Sequence, residues 1–217
     1  MFEKVPGPVI KLFPERVWKI PTQKRAIYLT FDDGPIPELT PWVLEQLKKY
    51  NAKATFFCIG ENIEKHPEIF RKIIFDGHSL GNHTQNHLNG WKTSSEEYVR
   101  NVLKAEVVIE SNFPEKEEEY HPKTKLFRPP FGRITGKQVK LLREKNYKII
   151  MWSVLSMDYS KNISVEKCYN NVVKNGISGN IFVFHDSLKA EKNLRSVLPR
   201  VLEHFQKEGF SFEKLEV

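Results

Sequence analysis

Apolar residues along this chain follow two alternating rhythms. Short β-prone runs at Ala26–Phe31, Ala54–Ile59, His78–Leu80, Lys125–Phe127, Lys148–Trp152, Asn180–Phe184 and near Phe210–Phe212 each predict a strand. Between them, Leu39–Tyr50, Pro67–Phe75, Glu96–Asn112, Lys137–Asn146, Val165–Asn175 and Asn193–Glu208 place apolar residues three and four positions apart with charges in the gaps, the spacing of amphipathic helices. Strand and helix thus alternate about seven times. Short connections between such units favour a parallel sheet, and this many units in about 200 residues suit a closed or nearly closed (β/α) barrel better than a long open sheet. In such folds functional side chains gather at the C-terminal ends of the strands. We expect residues 1–24 to form an extension packed on a single domain spanning 25–217.

Composition narrows the function classes. With 40% apolar and 28% charged residues, the chain has the balance of a soluble globular domain. Its formal charge of +7 comes from scattered lysines, and the longest charge run, EKEEE at 115–119, is acidic. Without a basic stripe interleaved with aromatics, a nucleic-acid partner is not expected. Cys58 lies in an apolar run and Cys168 in a helical pattern, so both read as small core residues and not as a disulfide. No run reaches the length of a membrane span, and residues 1–20 hold three prolines and no signal-peptide core. Taken as given, the chain reads as a cytoplasmic monomer, or as a cell-envelope or secreted protein if a leader has been removed.

Candidate chemistry sits where the barrel pattern puts function. The run LTFDDGP ends a buried strand in Asp32 and Asp33 before a Gly-Pro turn. Asp-Gly is ordinary turn chemistry, so this stretch alone leaves a plain turn open. In HTQNH, His83 and His87 are four residues apart, which would put both imidazoles on one face of a helical turn for a divalent metal. His66, His78, His121 and His204 have no partner at ligand spacing. FRPPFG sets Arg128 before Pro129 and Pro130, a rigid loop whose guanidinium could hold and aim Asp32. NIFVFH ends in His185, a candidate general acid, and Asp158 and Tyr159 follow the strand that holds Trp152.

Taken in order, TFDDGP, H-T-x-x-H, R-P-P-F and the strand-terminal histidine, spread over 30–185, resemble the motif set of the NodB-like polysaccharide deacetylases, carbohydrate esterase family four. The resemblance implies a distorted (β/α) barrel of about seven parallel strands. It also implies that Asp33, His83 and His87 hold a divalent metal, zinc by preference with cobalt or another ion possible. Asp32 would be the general base, the Phe131 backbone N–H would stabilise the oxyanion, and His185 would protonate the departing amine. The implied function is metal-dependent removal of acetyl groups from N- or O-acetylated glycans such as peptidoglycan, chitin oligomers or xylan. Pro129, Pro130, Trp91 and Tyr159 are candidates for the substrate groove.

The match is imperfect at one stretch. Where many family members carry D-S-x-D-W, this chain has Leu155, Ser156, Met157, Asp158 and Tyr159, which leaves Asp158 to pair with His185. Two further readings stay open: a metal-dependent hydrolase of a small amide, cyclic imide or lipid-linked sugar, and a silent carbohydrate-binding barrel.

Overall fold

The computed structural model describes residues 3–113 and 125–216; the acidic run at 115–119 and His121 lie outside them. A short helix α1 (Gly7–Leu12) precedes β1 (Ala26–Asp32). The chain continues through α2 (Leu39–Lys49), β2 (Ala54–Cys58), α3 (Gly60–Lys65), α4 (Pro67–Phe75), β3 (Ser79–Asn82), α5 (Ser95–Ser111), β4 (Lys125–Phe127) and α6 (Gly136–Arg143). It ends with β5 (Tyr147–Ile149), β6 (Val154–Leu155), α7 (Val165–Val173), β7 (Ile181–His185), α8 (Glu191–Lys207) and β8 (Ser211–Phe212). Seven strands lie in the order β5-β4-β3-β2-β1-β7-β6, every neighbouring pair is parallel, and β8 pairs with β1 off that path.

Two local expectations need correction, and two short helices were not expected. The predicted strand Lys148–Trp152 is shorter and shifted: β5 ends at Ile149, and a separate strand β6 follows at Val154–Leu155, because β5 pairs with β4 and β6 with β7 at opposite ends of the strand order. The N-terminal segment binds the backbone between them: Val17 donates to the Ile149 carbonyl and accepts from Met151 N–H, while Val5 donates to Ser153 and Glu3 accepts from Leu155. Helices α1 and α3, each six residues long, were too short to show a 3.6-residue period. HTQNH is a turn and not part of a helix, with Thr84 and His87 at φ values of 68° and 58°.

The central strands are mostly apolar because both faces are buried, with Thr30, Asp32 and Thr55 as buried polar exceptions. Ile27, Leu29 and Phe31 of β1 pack into one core with Phe56 of β2 and Phe182 and Phe184 of β7. Tyr28, Phe57, Ile181 and Val183 point into a second core with Phe127, Ile149 and Trp152. Period-two alternation therefore puts Tyr28, Thr30 and Asp32 on a single face of β1. Cys58 and Cys168 are free, buried thiols. No helix among the described residues is long and apolar enough to cross a membrane.

Candidate functional site

Asp32 is the last residue of β1 and lies across from His185 of β7 in the strand register. Arg128, fully buried just past β4, reaches this strand end from the far side of the second core. Its Nη1 donates to Thr30 Oγ1 at 2.6 Å and Asp32 Oδ1 at 2.7 Å, and its Nε and Nη2 donate to the carbonyls of Ile150 and Met151 at 3.3 and 3.0 Å. The guanidinium also stands 4.1 Å from the centre of the Phe57 ring. Burial lowers the pKa of Arg128 and the Asp32 carboxylate opposes that shift. The bidirectional grip fixes both side chains, since charge-assisted bonds of this kind are short and directional.

The next residue turns away. Asp33 has φ 83°, which carries its side chain out of the strand's alternation. Asn62 donates to the Asp33 carbonyl at 2.7 Å. Asp186 accepts from Gly34 N–H at 3.0 Å and from the Thr40 hydroxyl at 2.6 Å, and burial raises its pKa to about 8. A Cβ at Gly34 would come within 2.0 Å of Asp186 Oδ2, so only glycine fits there. The Gly34-Pro35 peptide is cis.

Asp33 faces two imidazoles. Its Oδ1 lies 3.3 Å from His87 Nε2 and 3.7 Å from His83 Nε2, is buried, and accepts no hydrogen bond. Candidate ligand atoms on Asp33, His83 and His87 all lie within 4.8 Å of one another. His83 Nδ1 sits 2.7 Å from the Arg128 carbonyl, to which it donates, so Nε2 keeps its lone pair toward Asp33. Burial drops the His83 pKa to about 4, which keeps the ring neutral. Burial alone would raise the Asp33 pKa, but His87, His185 and His83 hold it below the ordinary carboxylate range. One orphaned carboxylate oxygen and two imidazole nitrogens facing it suit a divalent cation bound through three protein ligands, with a position left open.

On the other side of Asp32, His185 Nδ1 pairs with Asp158 Oδ1 at 2.8 Å, and the His185 backbone N–H donates to Asp158 Oδ2 at 2.8 Å. Asp158 is fully buried, and Asn193 donates to its carbonyl at 2.9 Å. Burial pulls the His185 pKa down, yet the Asp158 charge and hydrogen bond outweigh it and carry it to about 9. His185 is therefore protonated at neutral pH. Tyr159 packs edge-on against the His185 ring at 4.9 Å.

Asp32, Asp33, His83, His87 and His185 line one cavity of about 270 Å³ together with Pro129, Phe131, Gly132, Arg133, Trp152, Leu155, Tyr159 and Lys189. Arg128 and Asp158 stand behind it and act on its walls. Pro130 is buried and Trp91 is 65% exposed; neither lines this cavity. Phe131 sits at φ 59° with its ring 4.5 Å from that of His87. The Gly132 and Arg133 N–H groups close its turn onto the carbonyls of Pro129 and Pro130. Thr30 and Asp186 escaped the sequence reading of the site. Thr30 could have been flagged by its place two residues before Asp32 on the same strand face, and Asp186 by its position beside His185.

A family model for polysaccharide deacetylases matches residues 19–150. A peptidoglycan-N-acetylglucosamine deacetylase of Bacillus cereus is 40% identical over 167 residues, 77% of this chain and 58% of that protein. A second of the same name and organism is 35% identical over 197 residues, 90% of this chain and 88% of that protein. Among solved structures, a peptidoglycan N-acetylglucosamine deacetylase in complex with 4-naphthalen-1-yl-N-oxidanyl-benzamide superposes with a TM-score of 0.85 at 33% identity, covering 97% of this chain and 95% of the other. With matching motifs, fold and relatives, the chain belongs to the polysaccharide deacetylase family.

Proposed function

We propose that the protein is a zinc-dependent hydrolase that removes the acetyl group from N-acetylglucosamine residues of a peptidoglycan-type glycan. The reading rests on one observation: the Asp33, His83 and His87 donors meet in a cavity flanked by Asp32 held by Arg128 on one side and His185 held by Asp158 on the other. A cation on those three residues supplies a Lewis acid and a water of lowered pKa.

The chain's own groups do the rest. Asp32 takes the proton of the attacking water, and Arg128 keeps its carboxylate aimed. The Phe131 backbone N–H is assigned to the developing oxyanion, because the rigid Pro129-Pro130 pair fixes the peptide that carries it. His185, charged through Asp158, gives its proton to the nitrogen that leaves as the carbon–nitrogen bond breaks. Leu155 adds an apolar wall to the cavity and takes no proton. Relatives named for peptidoglycan favour a glycan over a small amide or imide, and a silent barrel would not be expected to keep ligands, base and acid together.

Acetate release from N-acetylglucosamine oligomers by chelator-stripped protein, with and without added zinc, tests this reading. We expect release to vanish on stripping and return with zinc. Protein that binds zinc but releases no acetate from oligomers or peptidoglycan fragments would overturn it.

A further inference from the structure

The cavity carries a cation that the proposed chemistry does not use. Arg133 lines it, just beyond the Phe131 turn, and takes part in no ion pair among the described residues. Its guanidinium stands 5.3 Å from the Trp91 ring centre and 5.9 Å from that of Phe131. Both rings are well exposed, at 65% and 49%, which is unusual for aromatics of that size. Phe131 in turn packs on His87, so aromatic, cation and aromatic form a row leading outward from the candidate metal ligands.

The row is built, not incidental. Trp91 Nε1 donates to the Ile134 carbonyl at 3.4 Å, and Gln138 Nε2 donates to the carbonyls of Gly90 and Thr93 at 2.8 and 3.3 Å. A Cβ at Gly90 would meet the Arg133 carbonyl at 2.4 Å, so the two loops are in close backbone contact. Thr135 and Gln138 form a capping box that anchors the Arg133 loop to α6. A guanidinium held on aromatic faces keeps its in-plane donors free for a carboxylate. Lys189 on the β7 side adds a second positive charge to the same cavity, also without an ion pair among the described residues.

We propose that Arg133 is a specificity-determining residue that binds a carboxylate on the sugar next to the one being deacetylated, while Trp91 supports that sugar's ring. The substrate it selects is an acetamido-sugar chain whose alternate residues carry a free lactyl ether carboxylate, the chemistry of a peptidoglycan strand freed of its stem peptides, over a neutral chitin-type chain. This inference rests on the proposed deacetylase reading and deepens it.

The test crosses protein and substrate. Kinetics of zinc-loaded wild type and Arg133→Gln are compared on peptide-free peptidoglycan fragments with their native free lactyl carboxylates, on the same fragments with those carboxylates reduced to alcohols, and on N-acetylglucosamine oligomers. Loss of a charge-assisted bond should lower the wild type's preference for the native over the reduced fragment by about tenfold or more in the variant, mostly through KM. Equal losses on native, reduced and neutral substrates would overturn the proposal, since they would mark a general structural role. Arg133→Lys, which keeps charge but not the fork, should fall between. Calorimetric binding of the native and reduced fragments to the same proteins decides the question independently: equal affinities in wild type refute the carboxylate contact even if acetate release, and with it the deacetylase reading, fails.

Discussion

Asp158→Asn isolates the electrostatics of the proposed acid. Asparagine keeps the size and one acceptor oxygen of Asp158 but removes the negative charge 2.8 Å from His185 Nδ1. Raising an imidazole from its ordinary value near 6.5 to about 9 requires about 3 kcal/mol of preference for the charged form, and that preference already outweighs burial. Without that charge, burial is opposed only by the Asp33 and Asp32 carboxylates, and the pKa should fall well below its wild-type position. The pH dependence of kcat for acetate release from N-acetylglucosamine oligomers, at saturating zinc, reads this directly. In wild type the alkaline limb should lie near 9; in Asp158→Asn it should move about two pH units lower, with activity at pH 8 reduced by roughly tenfold. Stability should follow the same sign. Because the folded-state pKa of His185 is raised, the pair's stabilisation is present in full below about 6.5 and is lost as pH climbs through about 9. Wild-type Tm should therefore decline across that window more steeply than that of the variant. An alkaline limb that stays near 9 in Asp158→Asn would refute the assignment of His185 as an acid set by Asp158, whatever the variant's overall rate.

Other substitutions separate base, ligand and scaffold. Asp32→Asn should cut turnover roughly a hundred- to ten-thousandfold yet leave zinc content at one per chain by elemental analysis; near-normal turnover would remove Asp32 from the base role. His83→Ala should lose zinc on dialysis, and activity with it, because two remaining ligands hold the ion poorly; full zinc content would contradict the ligand set. Arg128→Met strands the buried Asp32 carboxylate and should cost about 3–5 kcal/mol, a Tm drop on the order of 10 °C by calorimetry, whereas a change of a degree or two would show that the pair is dispensable.

Much of the architecture was legible because hydrophobic period and strand-end chemistry are local. The runs of β1, β2 and β7 are apolar on both faces, so they read as buried parallel strands before any pairing is known. What escaped depends on backbone conformations and contacts that spacing does not encode. His83 and His87 face one another through a turn with two residues at positive φ, not through a helical repeat. The strand predicted over 148–152 stops at Ile149 because β5 pairs with β4 while the next strand, β6, pairs with β7 at the other end of the order, and an N-terminal segment more than 130 residues away binds the backbone between them. Asp186 follows His185 and would pass for an ordinary polar strand end. Its contacts with Gly34 and Thr40 exist only because β1 and β7 are neighbours.

The same neighbour logic explains how two adjacent strand ends support the opposite proton roles proposed for them. Asp32 and His185 occupy paired positions on β1 and β7, so the strand register alone would place them in similar surroundings. They differ because their partners arrive from opposite directions along the sheet. Arg128 follows β4, three places from β1 in the strand order, and can touch Asp32 only because the sheet curls enough to bring β4 across the interior. Asp158 follows β6, which pairs with β7 on the other flank. Curling thus delivers a cation to the carboxylate and an anion to the imidazole within one cavity. The carbonyl of Arg128 also receives His83 Nδ1–H, which ties the orientation of a candidate metal ligand to the residue that aims the proposed base. Loosening Arg128 should therefore weaken zinc binding as well as turnover, whereas Asp32→Asn, which leaves that carbonyl in place, should affect turnover alone.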